Sequence, residues 1–417
     1  MKFSYGSSST SHQNISSDLH SELISKSLEL KKHATCTDFS HPEDFISLVS
    51  GGTDVALAEE IISKLGSSVR WVFVVGIGGT NLGAEAVYEA LKLTRDTQYP
   101  EAIFFDAIDD LQMDAFQTTL GKIESKDLFV LLIISKSGET LETLANAHIV
   151  SKKLEEKFGS IAERTVVLTK EGSPLWNEVA PQTNKVPLRD SISDRYSVFS
   201  VIGLLPLGLL GFNIELFVSG AKNVLTDFSS NESNHVIDSS EFVQNQYMLG
   251  KTIRDYFFFV PELEVLGKWN RQLVAESLGK DGEGILPTVS IGTTDLHSMA
   301  QLYFAGNTNR MTTFVVAHTM NSNPISNTEV IQGDGLDGKN TEVIVDTIYE
   351  SVKRSYVEHD LVFQEIALDG INEDAIGEYM MSMMLETVMV AYVWGVNAFN
   401  QPAVEDYKNR AHESLLS

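Results

Sequence analysis

Short apolar runs recur along the chain, each followed by a stretch in which apolar residues return every three or four positions. In the first half the runs are Arg70–Gly76 (RWVFVVG), Glu101–Asp106 (EAIFFD), Asp127–Ser135 (DLFVLLIIS) and Arg164–Thr169 (RTVVLT). They are rich in β-branched and aromatic residues and too short for helices, so they read as buried strands and the intervening stretches as helices. Strand, helix, strand in this rhythm predicts a parallel sheet with helices on both faces. A second set follows at Asp255–Val260, Leu286–Ile291, Thr312–Ala317 and Leu361–Leu368, with helices expected near 341–357 and 372–397. The expected fold class is α/β: two three-layer αβα domains in tandem, each with a mainly parallel sheet flanked by helices.

The punctuation suggests boundaries. Residues 1–17 hold seven serines, so an N-terminal segment of 1–45 is expected to have a frayed start. A first domain then covers 46–215, a second 216–400, and a C-terminal segment 401–417. The join is set where Gly211, Gly220 and the polar run DFSSNESN thin the apolar pattern, and 319–340 reads as a long polar excursion. The uncharged stretch Tyr196–Ile214 is long enough to cross a bilayer, but Gly203, Pro206, Gly208 and Gly211 favour a core helix broken near Pro206. Thr387–Val404 carries Asn397, Asn400, Gln401 and Pro402, and reads as a core helix running into a loop.

Composition narrows the partners. With 31 basic and 57 acidic residues the net charge is 31 − 57 = −26, which repels nucleic acid and anionic lipid. The hydrophobic share of 43% excludes a wholly disordered or fibrous chain. Cys36 is the single cysteine, and the start lacks an apolar core of signal-peptide length, so a cytoplasmic location is expected.

Six blocks could carry chemistry. Gly76–Gly83 (GIGGTNLG) lies between a strand and a helix, where backbone N–H groups approach an anion. Asn81 takes the place of the sixth-position glycine of a dinucleotide fingerprint, although Asp106 stands where a ribose-binding acid would; a ligand-free turn is the plain alternative. Ser135, Lys136, Ser137 and Thr140 follow the strongest strand with three hydroxyls and a cation, the makings of a phosphate cup, while Ser137 or Thr140 as a helix cap explains only one of them. Gly250-Lys-Thr252 ends like a Walker loop but lacks its first glycine, with Asn245 there.

Arg195 opens an uncharged stretch; taken alone, a surface position at a helix end outweighs a cation in a site. Gln272 and Glu276 share a helix face ended by Gly279, setting a carboxylate beside an amide, against the ordinary fate of a solvated acid. With Thr293 or Thr294 as cap, His297 falls in a first helical turn whose dipole favours the neutral imidazole, although a structural role is the commoner one. Gln401 and Lys408 lie in Asn400–Lys408 (NQPAVEDYK), where Pro402 starts a helix and a surface lysine is the default. Neither a His-Glu-x-x-His pattern nor a cysteine cluster suggests a metal.

In their order these blocks resemble those of the phosphoglucose isomerases, in their shorter bacterial form, from about Gly76 to Lys408. The resemblance implies two sugar-isomerase (SIS) domains and reversible conversion of glucose 6-phosphate to fructose 6-phosphate in glycolysis and gluconeogenesis, without metal or organic cofactor. Ser135, Lys136, Ser137 and Thr140 would hold the phosphate, with Gly79, Thr80, Gln272 and Gln401 at the sugar. Glu276 would move a proton between C1 and C2 through a cis-enediol, Arg195 would face the enediolate oxygen, and His297 with Lys408 would open the ring. It further implies a homodimer in which the histidine block reaches the partner subunit's site. Thr80 replaces a more familiar serine, and Glu139 adds a charge inside the cup that must point away or weaken phosphate binding. Still open are an isomerase that also takes mannose 6-phosphate, a non-catalytic sugar-phosphate sensor, and a nicotinamide-dependent dehydrogenase.

Overall fold

Apolar runs without polar interruption bury both faces of a strand, and that is where the strands lie. The computed structural model describes residues 1–6, 17–95, 98–228, 234–317, 322–333 and 335–416. Its strands are β1 (Lys2–Gly6), β2 (Trp71–Val75), β3 (Glu101–Phe105), β4 (Phe129–Ile134), β5 (Thr165–Thr169), β6 (Asn184–Pro187), β7 (Ile253–Phe258), β8 (Leu286–Ile291), β9 (Arg310–Ala317) and β10 (Phe363–Leu368). The chain divides into two compact units, one of Glu29–Lys222 with Phe399–Ser417, the other of Met1–Leu28 with Asn223–Ala398. The segment 1–45 is therefore divided between units, and 401–417 joins the unit of the first long block.

In the Glu29–Lys222 unit the order is β3-β2-β4-β5-β6, all parallel. Every residue of β4 and β5 is buried, as expected of central strands covered on both faces. Phe73, Phe105, Phe116, Phe129 and Leu131 anchor one core, with Phe73 and Phe116 edge-to-face at 5.1 Å. Successive strands leave β2 in opposite directions, to β3 on one side and to β4 on the other, so the sheet reverses between β2 and β4. Open α/β sheets bind ligands beyond the carboxyl ends of the strands at such a reversal. Helix Val201–Leu209 is not broken at Pro206: the proline is its sixth residue and Leu210 N still donates to Pro206 O at 3.0 Å. Only one interior hydrogen bond is lost that near the start of a helix, and burial of its apolar residues outweighs it.

In the other unit the order is β1-β10-β9-β7-β8, parallel except for β1, which pairs antiparallel with β10. The expected frayed start thus begins as an edge strand: Phe3 stacks on His235 at 4.8 Å and Tyr5 packs on Phe242 at 5.6 Å. The remainder of the serine-rich segment, 7–16, lies outside the described residues. Phe257, Phe314, Tyr356 and Phe363 build the core on one face of this sheet. A buried Arg254–Glu386 pair, with Nη2 to Oε2 at 3.0 Å, is closed by Ser239 and Thr313, so neither charge is left unpaired. The polar excursion is tied at its base by Ile325 N to Lys339 O at 2.8 Å. Among the described residues no helix is long and apolar enough to cross a membrane.

Candidate active site

Both glycine-rich blocks follow the strands at the sheet reversal. After β2 the chain turns through a 3-10 segment, Gly78–Thr80, into helix Leu82–Leu91. The buried Thr80 hydroxyl closes this turn, accepting from Ile77 N at 3.2 Å and donating to Ile77 O at 3.0 Å. A Cβ on Gly79 would lie 2.4 Å from the carbonyl carbon of Asp194 and 2.5 Å from Arg195 N. Glycine at 79 is what lets the Asp194–Tyr196 turn seat against the glycine turn. Asn81 is 1% exposed, and neither atom of its amide has a hydrogen-bond partner among the described residues. The sequence marked Asn81 only as a departure from a fingerprint; its unpaired buried amide makes it part of the turn's chemistry.

After β4 the cup closes on itself. Ser135 Oγ donates to Thr140 Oγ1 at 3.2 Å, Ser137 Oγ lies 3.4 Å from the same oxygen, and Gly138 N and Glu139 N donate to Ser135 Oγ and Ser137 Oγ at 3.1 and 3.2 Å. Gly138, at φ +72°, gives the left-handed turn this needs, and a side chain there would strike Ser173. Thr140 is the N-cap of helix Leu141–Phe158 but makes no side-chain capping bond, so the capping alternative does not account for its hydroxyl. The cup therefore sits at the positive end of an 18-residue helix. Lys136 Nζ donates to Ile192 O at 2.7 Å, leaving two of its three donor hydrogens for other acceptors. The Glu139 side chain is exposed.

Arg195 is not on the surface: it is 3% exposed. Its Nη1 donates to Gln401 Oε1 and its Nη2 to Asn400 O, both at 3.0 Å, so the C-terminal block folds back onto the arginine turn within one unit. Phe399 packs on Phe45 and Tyr196 beside it. Lys408 lies in helix Glu405–Leu416, exposed, with Nζ 3.3 Å from Glu405.

In the other unit Gln272 Nε2 donates to Glu276 Oε1 at 3.0 Å, the predicted pairing on one helix face. Helix Glu264–Leu278 carries both, Gly279 ends it, and Lys280 Nζ binds the Glu276 and Ser277 carbonyls. His297 differs from expectation. It closes a four-residue 3-10 turn, Thr294–His297, and Thr293 makes no side-chain cap, so the argument from a helix dipole lapses. The turn is held instead by Asp295, which accepts from Ile291 N at 2.7 Å and Ser298 Oγ at 2.8 Å. Glu276 and His297 are not brought together. The crossover helix returns Glu276 to the start of β8, whereas His297 follows its end. Six residues at ~3.3 Å each make β8 about 20 Å long.

The profile of the family described as phosphoglucose isomerase matches residues 53–415. The chain belongs to that family. A glucose-6-phosphate isomerase from Leptospira biflexa is 32% identical over 370 residues, which cover 85% of this chain and 81% of the relative. Among solved structures, a hypothetical protein from Thermus thermophilus superposes with a TM-score of 0.87 at 21% identity, over 100% of both chains. A glucose-6-phosphate isomerase from Chlamydia trachomatis gives 0.81 at 20% identity, over 99% of this chain and 88% of that one. The likeness of fold covers both parallel sheets, as the paired strand sets of the sequence predicted.

Proposed function

We propose that the chain interconverts glucose 6-phosphate and fructose 6-phosphate by proton transfer through a cis-enediol. Family membership supports the reaction. The observation that carries the assignment of the site is the hydroxyl cup of Ser135, Ser137 and Thr140 at the carboxyl end of β4, beside the sheet reversal and on a helix N-terminus. It suits a phosphate dianion, which takes hydroxyl and backbone donors and the positive end of a helix dipole.

In this reading Lys136 adds charge to the cup, Gly79, Thr80 and Gln401 are sugar contacts carried by the cup's own unit, and Gln272 is a sugar contact carried by the other unit. Glu276 is the base: it accepts the C2 proton of the open-chain aldose and returns it to C1, while O1 and O2 exchange the second proton. A base so used needs a fixed, partly desolvated carboxylate, and the half-buried Glu276 held by Gln272 meets that need. Arg195, a buried and permanent cation, stabilises the enediolate oxygen that bears charge in the transition state. His297 and Lys408 move protons between O5 and O1 during ring opening. The distance along β8 between Glu276 and His297 supports a homodimer in which each histidine serves the partner subunit's site. A cytoplasmic location belongs to the same reading.

The test is to mix the purified chain with fructose 6-phosphate and a chelator and to follow glucose 6-phosphate with a coupled assay. Rapid product formation is expected. Binding without product would point to a sugar-phosphate sensor instead.

A further inference from the structure

Away from these blocks, three metal-ligating side chains meet in the segment before β2. His33 lies in a 3-10 turn, Lys32–Thr35, directly followed by Cys36, and Asp44 lies in the 3-10 helix Pro42–Val49 packed beside it. One ligand atom from each of His33, Cys36 and Asp44 lies within 4.8 Å of the other two. His33 Nδ1 is 2.7 Å from Asp44 Oδ1, and His41 sets its ring edge-on to His33 with centroids 5.7 Å apart. Cys36 also borders a cavity of about 340 Å³ that reaches Phe39, Asp54 and Arg189, so small solutes have a path to the sulfur.

We propose that His33, Cys36 and Asp44 bind one divalent cation of the Zn²⁺ class, with His41 or water as the fourth ligand. A thiolate, an imidazole and a carboxylate form the donor set that borderline-soft cations take in preference to Mg²⁺ or Ca²⁺. Metal–ligand bonds of about 2.0–2.3 Å place tetrahedral ligand atoms roughly 3.3–3.8 Å apart. The three atoms thus need to draw in by about 1 Å at their widest while the His33–Asp44 contact opens slightly, which turns of this length permit. On binding, Cys36 releases its proton to solvent, and the neutral His33 ring carries its one proton on Nε2, freeing Nδ1 for the metal. Asp44 Oδ2 already accepts from His41 N at 2.8 Å, and that bond orients the carboxylate from behind. The metal would join the two 3-10 turns, a stretch whose local hydrogen bonds alone hold it weakly.

The competing reading is a histidine–carboxylate pair that only braces the turn. Co²⁺ decides between them, because a thiolate bound to Co²⁺ gives a near-ultraviolet charge-transfer band and Cys36 is the one thiol in the chain. The full chain, stripped with a chelator, is titrated with Co²⁺ and then with Zn²⁺. Expected are a band that saturates at one Co²⁺ per chain, its loss on adding Zn²⁺, and its absence in Cys36→Ser. His33→Gln, which keeps a donor toward Asp44, is expected to weaken Co²⁺ binding at least tenfold with its circular dichroism unchanged. No band in the unaltered chain, or a band of equal affinity in His33→Gln, would overturn the site and leave a bare thiol or a structural pair.

Discussion

Arg195 Nη1 and Gln401 Oε1 meet at 3.0 Å across 206 positions of sequence, within one compact unit. The bond holds a buried guanidinium in one orientation and ties the C-terminal block to the turn that seats on Gly79. Replacing Gln401 by alanine leaves the Asn400 carbonyl to hold the other end of the guanidinium. A hydrogen bond to a charged group contributes about 1.5–3 kcal/mol, so Gln401→Ala is expected to lower kcat/KM by about tenfold or more. Steady-state kinetics on fructose 6-phosphate check this, and an unchanged kcat/KM would show that Arg195 needs no such support.

Gly79 is constrained by backbone, not by side chains that could swing aside. A methyl group at 79 would have to displace Asp194 and Arg195 main-chain atoms that lie 2.4 and 2.5 Å from its position. Gly79→Ala is therefore expected to cost about 1–3 kcal/mol in urea unfolding. Its loss of activity should exceed what the unfolded fraction explains, because the turn that moves carries Arg195. Equal losses in stability and activity would mean that the turn shifts as a rigid piece without disturbing the site.

Acid should weaken the unit that holds β1. Burial drives the His235 imidazole below its usual value of 6.5, only partly offset by the Asp227 and Asp238 charges, while the N-terminal ammonium pushes the same way as burial. Its Nε2 lies 3.0 Å from Ser382 Oγ and its ring stacks on Phe3. With the folded value depressed, the unfolded chain takes up the proton first as pH falls. Stability from this group is thus complete above about pH 6.5 and is lost progressively below it. Urea midpoints should fall between pH 7 and the histidine's lowered range, and His235→Gln should flatten that slope. An identical slope in the variant would assign the effect to other groups.

How much of this was legible depends on the distance over which each feature is decided. The central strands β4 and β5 are unbroken apolar runs, so their pattern suffices. β6 escaped because NKVP is four residues with only one buried side chain, at the sheet edge. β1 escaped although Phe3 and Tyr5 do alternate with polar neighbours, because the serines around them drowned the signal. The cup and the Gln272–Glu276 pair are local in sequence and could be read from spacing. The burial of Arg195 could not, since it depends on Gln401 and Asn400 arriving from the far end of the chain. Nor could the 3-10 turn at His297, where Asp295, not a threonine, satisfies the backbone.

The roles of Glu276 and His297 can be separated from each other by mixing variants. Glu276→Gln keeps an oxygen to accept from Gln272 but has no basic lone pair for carbon, so turnover should fall by about 10²–10⁴-fold while sugar-phosphate binding persists. His297→Ala should also be slow on the cyclic sugar yet retain proton exchange on an open-chain analogue. If each histidine serves the partner's site, a heterodimer of the two variants has one site with both defects and one with neither. Co-refolding the two in equal amounts should then restore roughly a quarter of the unaltered activity, since half of the random dimers are mixed and each has one intact site. If Glu276 and His297 of the same chain acted together, every site in the mixture would carry one defect and no activity would return. The length of β8 that lies between them favours the first outcome.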